Sequence, residues 1–220
     1  NYLGSHRNVQ HPPGLMSHLA CADDANNPLN VLQQERFAVL ASQVPGKKSF
    51  ANSPALFNFK REQLHDDVVR PGLALYGISP ILDASAEQLG LKPVMTLQTR
   101  LIAVRMFDKG SPIGYGGRFI CPERMPIGVI AMGYGDGYPR TARDGTPVLV
   151  NGVRCQIVGR VSMDMASIDL RSYPKAQMGD QVILWGDELP IEQVASHTDN
   201  IPYDLICGVQ QRVTFYWTMP

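Results

Sequence analysis

The stretch "PVLVNGVRCQIVGRV", residues 147–161, decides how the second half of the chain folds. The pair Asn151-Gly152 stands between two apolar runs. Asn-Gly is a strong signal for a two-residue type I′ turn, because both turn positions need a positive φ that these residues tolerate. A β-hairpin is therefore predicted here.

Further strands are predicted on both sides of this hairpin. The alternating segment "PVMTLQTRLIAVRMF" precedes it, and the apolar runs "QVILWG" and "RVTFYW" follow it. Two short helices, "IEQVASHTDN" and "YDLICGV", are predicted near the end. Residues 93–220 are therefore expected to form a mostly β domain, with a boundary near residue 92.

The residues before that boundary alternate short apolar runs with helical patterns. "GLMSHLA", "KKSFAN" and "VVRPGLALYGISP" are interpreted as strands. "NPLNVLQQERFAVLASQV" predicts a helix with Asn27 as N-cap, and "SPALFNF" predicts another with Ser53 as N-cap. The first helix should present one apolar face, formed by Phe37, Leu40, Ala41 and Val44. Alternation of strand and helix predicts a parallel α/β arrangement, and three such units are too few to close an eight-stranded barrel.

Composition narrows the classes of function. The 20 basic residues balance the 20 acidic ones, so no global basic field points to a nucleic-acid partner. No apolar run approaches the roughly 18 residues of a membrane helix, and the opening "NYLGSHRNVQ" lacks the features of a signal peptide. The cysteines are far apart, which favours free thiols in a reducing cytoplasm, and the histidines show no metal-ligand spacing.

Two tyrosines are fenced by glycines: Tyr115 in "IGYGGRF" and Tyr134 in "MGYGDGYPR". Glycine permits positive φ and close approach of other groups. Each tyrosine is therefore either a filler of a tight turn or a side chain presented to a ligand.

Four other positions could carry chemistry. Ser53 opens a helix, where backbone N–H groups favour a phosphate, or it is an ordinary N-cap. Arg70, followed by Gly72 in "RPGLALYG", suits the end of a barrel strand or a surface turn. His18 lies in an apolar run, where a satisfied core histidine is the simpler interpretation. Asp164 stands between two methionines in "GRVSMDM" and needs a partner, unless it lies at an exposed position of an alternating strand.

Taken together, "SHLACADD", "ANSPA", "VRPGLALYG", "IGYGGRF", "MGYGDGYPR" and "VGRVSMDM" resemble the alanine racemase family in order and spacing. The resemblance runs from about His18 to Val213. It implies a partial (β/α)8 TIM-type barrel, of which residues 1–92 are the C-terminal part, followed by the β-rich domain 93–220. It also implies pyridoxal 5′-phosphate as cofactor, alanine as substrate and a cytoplasmic head-to-tail homodimer whose active sites are shared across the interface.

The resemblance also implies roles for single residues. Ser53 and the backbone at Gly72 and Leu73 match positions that bind the cofactor phosphate. Arg70 matches the arginine that donates to the pyridine nitrogen, and His18 matches a histidine that supports it.

On the β-rich domain, Tyr115 matches the catalytic base. A free phenol is a poor base at neutral pH, so donor groups must stabilise the phenolate, and His18 and Arg70 of the partner subunit's barrel are candidates. Met163 matches the residue whose backbone N–H meets the substrate carboxylate, with Asp164 beside it. The substrate entrance is matched by Tyr134, Arg140 and Arg160.

The sequence departs from the family pattern in three places. The lysine that binds the cofactor covalently and the arginine that binds the substrate carboxylate both lie upstream in the family, and neither is matched here. The chain is therefore expected to be the C-terminal part of such an enzyme, inactive alone. Gln211 stands where some relatives place a phosphate-binding tyrosine. Two alternatives to an alanine racemase remain, a broad-specificity amino-acid racemase and a non-catalytic remnant. The physiological role is also open between supply of D-alanine for peptidoglycan and breakdown of alanine.

Overall fold

The chain divides into two compact units, Asn1–Lys92 (unit 1) and Pro93–Pro220 (unit 2). The computed structural model describes residues 5–64 and 67–218. Expectations that touch residues 1–4 or His65 lie outside the described residues. Within these ranges, no helix has the length and apolar character that crossing a bilayer requires.

The described part of unit 1 has short strands and short to medium helices. Its elements are β1 (Leu15–Met16), α1 (Pro28–Ala41), β2 (Lys48–Ser49), α2 (Ser53–Asn58), α3 (Arg61–Leu64) and a 3₁₀ turn (Leu73–Tyr76). β1 pairs with β2 in parallel, and a further parallel bridge joins Asn52 to Arg70. The parallel arrangement predicted for this part is confirmed.

Two strand predictions in unit 1 were too generous. In "GLMSHLA" only Leu15–Met16 pairs as a strand, and the run after Arg70 forms the 3₁₀ turn instead of a strand. Pro71 has no N–H to donate to a ladder, and Gly77 closes the turn with a left-handed φ of 72°. Apolar composition alone did not distinguish this turn from a strand.

Helix α1 begins as predicted. The Asn27 side chain accepts a hydrogen bond from the Leu29 N–H at 3.1 Å, with Pro28 in the first turn. Phe37 packs into the core of unit 1 and stacks on Phe50, with ring centroids 4.4 Å apart. Leu40 lies on the same side of α1 as Phe37 and Ala41 but is exposed. The helix ends at Ala41, so Val44, which was expected to continue this face, lies beyond it.

Unit 2 is built around a closed antiparallel barrel of six strands in the order β10-β3-β6-β9-β8-β7. The strands of the unit are β3 (Leu97–Phe107), β4 (Pro112–Ile113), β5 (Phe119–Ile120), β6 (Met125–Ile130), β7 (Pro147–Val150), β8 (Val153–Val158), β9 (Ala166–Asp169) and β10 (Gln181–Trp185). The predicted hairpin is β7–β8, with φ of 46° at Asn151 and 78° at Gly152. The mostly β character was predicted, but closure of the strands into a barrel was not.

The prediction of a strand at "RVTFYW" was wrong, because none of its six residues, all of which are described, belongs to a strand. Each barrel strand already has two partners, so no open edge of the barrel is left to receive another strand. The predicted short helices are present as α4 (Ile191–Ala195) and α5 (Pro202–Gly208).

An ion pair between the buried Asp169 and the partly exposed Arg171 joins the end of β9 to the following turn. Arg171 donates to both carboxylate oxygens of Asp169, at 3.1 Å from Nε to Oδ1 and 2.7 Å from Nη2 to Oδ2. Burial on its own would raise the pKa of Asp169, but hydrogen bonds from the Arg171 side chain and backbone and from Gln156 outweigh burial and lower it. The folded state therefore favours the ionised form of the Asp169 carboxyl group.

We expect this pair to make unit 2 sensitive to acid. Because the folded-state pKa of Asp169 lies below the unfolded value of about 3.9, its contribution is complete above that pH and is lost as pH falls through the folded pKa. Asp169→Asn should lower the free energy of unfolding by about 1–3 kcal/mol at pH 7. Below about pH 4, the free energy of unfolding of the variant should fall less steeply with pH than that of the wild type. Denaturant titrations against pH measure both. Asp108→Asn, at an exposed ion pair with Arg124, is the control, and an equal effect at both sites would contradict the prediction.

Candidate active site

Arg70 is the centre of a polar cluster in unit 1. Its Nη1 donates to the Ser49 hydroxyl, and its Nη2 donates to the Ser17 carbonyl at 2.7 Å. Nη2 also lies 3.4 Å from His18 Nδ1. These contacts anchor the guanidinium, which is half-buried at the ends of β1 and β2.

His18 is exposed, so the interpretation as a core histidine was wrong. Its Nδ1 faces the Arg70 guanidinium and its Nε2 lies 3.1 Å from the Asn52 side-chain nitrogen. These two contacts place the ring between Arg70 and Asn52; a neutral imidazole has one acceptor nitrogen, so it accepts from one of the two. This links His18 to Arg70 directly, by contact of side chains.

Asn52, which the sequence interpretation passed over, caps helix α2. Its side-chain oxygen accepts from the Ala55 N–H at 3.3 Å, and its nitrogen donates to the Leu19 carbonyl at 3.0 Å. The prediction of Ser53 as N-cap was therefore wrong by one residue. Asparagine two residues before Pro54 offered the same capping chemistry and was the missed signal.

Freed from capping, Ser53 has a different partner. Its side chain is 1% exposed, and its hydroxyl accepts from the Ala74 N–H at 3.3 Å. A Cβ placed on Gly72 would meet only this hydroxyl, at 4.0 Å, so open space borders Ser53 at that point. The Gly72 N–H donates to the Arg70 carbonyl at 2.9 Å, and the Leu73 side chain is buried.

In unit 2, Tyr115 stands at the tip of the β4–β5 hairpin, in a 3₁₀ turn between the two strands. Ile113 and Phe119, the strand pair next to the turn, pack in a hydrophobic cluster with residues of β6 and β8. The tyrosine side chain itself is 70% exposed. The strands of the hairpin are therefore anchored, and the phenol is presented at the tip instead of being packed as a turn filler.

The glycine before Tyr115 is required by backbone contact. Gly114 has a φ of 76°, and a Cβ there would lie 2.8 Å from the Arg160 nitrogen. Gly159 has a φ of 72° and would clash in the same way with the Ile113 carbonyl, at 2.9 Å. The hairpin tip and the segment 159–165 are thus held in direct backbone contact.

The turn that carries Tyr134 packs on the same segment. Tyr134 N–H donates to the Ser162 carbonyl at 3.0 Å, and Gly135 N–H donates to the Met163 carbonyl at 2.8 Å. A Cβ on Gly133 would lie 2.3 Å from the Ser162 carbonyl oxygen. Both glycine-fenced tyrosines therefore flank one segment, 159–165, which also carries Met163.

Asp164 is exposed, at a bend and not in a strand, and it nevertheless has a charged partner. Its Oδ1 accepts from Arg212 Nη2 at 2.6 Å, while Arg212 Nε donates to Asp136 Oδ1 at 2.6 Å. Hydrogen bonds to Asp136 and then Asp164 raise the pKa of Arg212 above its ordinary value. Arg212 was missed in the sequence, where only the neighbouring Gln211, which is exposed, was considered. Asp136 in a glycine-rich turn and Asp164 between two methionines were the available signal for a nearby cation.

The remaining residues of the expected entrance are at the surface. Arg140 and Arg160 are exposed, and Tyr134 is 44% exposed. The structure thus gathers the predicted residues into two groups. The unit 1 group is His18, Ser53, Arg70, Gly72 and Leu73; the unit 2 group is Tyr115, Tyr134, Met163, Asp164 and Arg160.

Comparison with known families matches both units. The family described as "Alanine racemase, C-terminal domain" matches residues 94–217, and "Alanine racemase, N-terminal domain" matches residues 2–80. Among curated proteins, the chain is 54% identical to an alanine racemase of Nitrosococcus oceani over 91% of this chain and 55% of the relative. It is 47% identical to one of Coxiella burnetii, over 98% of this chain and 60% of the relative.

Solved structures agree with these matches. The biosynthetic alanine racemase of Pseudomonas aeruginosa is 43% identical with a TM-score of 0.92, over 99% of this chain and 60% of that one. The alanine racemase of Bartonella henselae, solved with covalently bound pyridoxal phosphate, is 33% identical with a TM-score of 0.79, over 90% of this chain and 55% of that one. The chain spans 55–60% of the length of these two curated relatives.

Proposed function

The chain belongs to the alanine racemase family, and on that premise we propose that the protein interconverts L-alanine and D-alanine with pyridoxal 5′-phosphate as cofactor. The observation that carries the proposal is the anchored hairpin that presents Tyr115. A phenol that is held by its backbone and has an accessible hydroxyl can take part in proton transfer to or from a bound substrate.

The unit 1 group fits a pyridoxal phosphate. A buried hydroxyl at Ser53 next to the open space at Gly72 suits a phosphate oxygen, and the backbone N–H of Leu73 is a further donor. Arg70 would donate to the pyridine nitrogen, with its guanidinium oriented by Ser49 and Ser17 and with His18 beside it. When bound, the cofactor supplies an electron-withdrawing ring that acidifies the hydrogen on the substrate α-carbon.

Racemisation removes a proton from one face of the α-carbon and returns one to the other face. Tyr115 Oη would take and give the proton on one face, and a lysine upstream in the family serves the other. Arg70 is permanently charged because an arginine does not give up its proton in a protein. It therefore orients the cofactor without exchanging protons with it.

The unit 2 group would bind and admit the substrate. The Met163 N–H would donate to the substrate carboxylate, with Asp164 beside it. Tyr134, Arg140 and Arg160 would line the entrance. A wider entrance at Tyr134 is the feature that would favour the alternative, a broad-specificity amino-acid racemase.

An assay of the full-length protein, as its gene encodes it, tests the activity. With cofactor and L-alanine it should form D-alanine, and in deuterated water the α-carbon should take up deuterium. Rates on serine and larger amino acids separate an alanine enzyme from a broad one. A cofactor-loaded protein that exchanges no α-hydrogen would contradict the proposal. We place this activity in the cytoplasm, in keeping with the four free cysteines in the described chain.

We further propose that the protein is a homodimer in which Tyr115 serves the partner's cofactor site. Tyr115 lies in unit 2, whereas Ser53 and Arg70 lie in unit 1, and the family resemblance joins such sets across a two-fold interface. The support is this division together with the resemblance.

Mixing two inactive variants tests the shared site. One carries Tyr115→Ala and the other Arg70→Glu. If subunits exchange freely, about half of the dimers are mixed and each has one site free of both changes, so about a quarter of all sites regain activity. Separate proteins kept unmixed are the control. Recovery near zero after exchange has been verified by mass would place Tyr115 in its own subunit's site.

A further inference from the structure

We propose that Arg212 is a positioning residue for the substrate carboxylate: it holds the Tyr134 turn against Met163 and pairs with Asp164, which lowers the negative charge beside the Met163 N–H where an anionic substrate binds. This inference rests on the proposed racemase function and assigns to it a residue outside the expected site. The group formed by Arg212, Asp136 and Asp164 is called the Arg212 clamp below.

The clamp joins three segments that are distant in sequence. Arg212 Nε donates to Asp136 Oδ1 and its Nη2 donates to Asp164 Oδ1, both at 2.6 Å. The other oxygen of Asp136, Oδ2, accepts from the Gly133 N–H at 2.8 Å. Asp136 therefore holds the turn around Tyr134 with one carboxylate oxygen and binds Arg212 with the other.

Glycine makes room for this guanidinium. A Cβ on Gly135 would lie 2.9 Å from Arg212 Nη2 and 2.9 Å from the Met163 carbonyl oxygen. The Met163 carbonyl accepts from the Gly135 N–H at 2.8 Å. Arg212 thus lies where the Tyr134 turn meets the peptide that carries Met163, and a change in Arg212 reaches both.

Charge gives the clamp its functional consequence. Asp164 directly follows Met163, and its side chain is 60% exposed. An unpaired carboxylate there would repel the carboxylate of an incoming amino acid. Among the described residues, Arg212 is the cation that ion-pairs with Asp164. The two carboxylates and one guanidinium of the clamp carry a net charge of −1, and loss of Arg212 would raise it to −2 beside the place where a negative group must bind.

The experiment compares four variants of the full-length, cofactor-loaded protein: Arg212→Gln, Arg212→Lys, Asp164→Asn and Arg212→Gln with Asp164→Asn. Readouts are kcat and KM for alanine, the Kd of propionate by calorimetry and the melting temperature. Propionate serves as a carboxylate probe that cannot react. Arg143→Gln is the matched control, since Arg143 pairs with Asp199 on the surface of the same unit and has no part in the expected site.

Arg212→Gln should raise KM and the propionate Kd about two- to fivefold with kcat within about 1.5-fold of wild type. Arg212→Lys keeps the charge, but an ammonium group cannot bind both carboxylates as the planar guanidinium does. Its KM and propionate Kd should therefore lie between those of wild type and those of Arg212→Gln. Adding Asp164→Asn to Arg212→Gln should restore most of the propionate affinity. Asp164→Asn alone should tighten propionate binding about twofold, which tests the idea even where Arg212→Gln fails to fold.

Several outcomes would overturn the inference. A lower melting temperature with unchanged KM and propionate Kd would make Arg212 structural only. A loss of kcat with unchanged KM would place it in the chemical step. Weaker propionate binding in Asp164→Asn alone would contradict the charge argument. Absence of racemisation by the wild-type holoprotein would instead remove the proposed function itself, and this inference with it.

Discussion

Replacing Tyr115 by phenylalanine is expected to lower kcat for racemisation by about 10²–10⁴-fold, the usual contribution of a positioned acid or base. The change removes one hydroxyl from an exposed side chain at the tip of the β4–β5 hairpin. The hairpin is anchored by Ile113 and Phe119, so its fold should not change. Absorbance of the bound cofactor should therefore match wild type.

The loss should also be one-sided. If Tyr115 serves one face of the α-carbon, the enantiomer whose hydrogen points to that face should stop exchanging it with solvent. The other enantiomer should still exchange its hydrogen, without inversion. Proton NMR in deuterated water follows each enantiomer separately. Tyr134→Phe is the matched control, because it alters the other glycine-fenced tyrosine and should change mainly KM. Equal, small losses of exchange for both enantiomers of Tyr115→Phe would exclude Tyr115 from the proton transfer.

The second large effect is expected at a glycine. Gly137 has a φ of 102°, and a Cβ there would lie 2.1 Å from the Gly208 carbonyl oxygen. Gly137→Ala must therefore both strain the backbone and push the turn after Tyr134 away from the end of α5. We expect about 3–5 kcal/mol of lost unfolding free energy from the two costs together.

A second glycine separates these costs. Gly179 has a φ of 97°, and a Cβ there would meet nothing within 4 Å. Gly179→Ala should cost about 1–2 kcal/mol, from backbone strain alone. Denaturant titration of the full-length protein compares the two variants. Similar losses would mean that the backbone at Gly208 moves aside easily, against the tight contact described here.

Features decided by adjacent residues could be predicted from the sequence. The Asn151-Gly152 turn and the Asn27 cap depend on backbone conformation and on hydrogen bonds that span two residues or fewer. Such features need no knowledge of the remaining chain. The same holds for the glycines around Tyr115 and Tyr134, which indicated a special backbone before any contact was known.

Features decided by distant residues could not be predicted in the same way. Asn52 and Ser53 have equal capping chemistry, and the choice follows from Leu19, which holds the Asn52 side chain from 33 residues away. Arg212 meets Asp136 and Asp164 across 76 and 48 residues. No local pattern encodes these separations. Family resemblance supplied Tyr115 and Arg70, but it did not supply Arg212.

The pairing of β10 has a consequence for the order of assembly. This strand hydrogen-bonds to β3 on one side and to β7 on the other, so it is the piece that turns an open sheet into a ring. A nascent chain that has not yet emerged past Gln181 must carry two unpaired edges, both suited to strand addition. Since β3 and β10 are about 80 residues apart, the last closure has a high contact order and is slow by nature. The edges of β3 and β7 therefore need protection from other strands during synthesis, until residues 181–185 are available. In the finished fold β10 covers both edges.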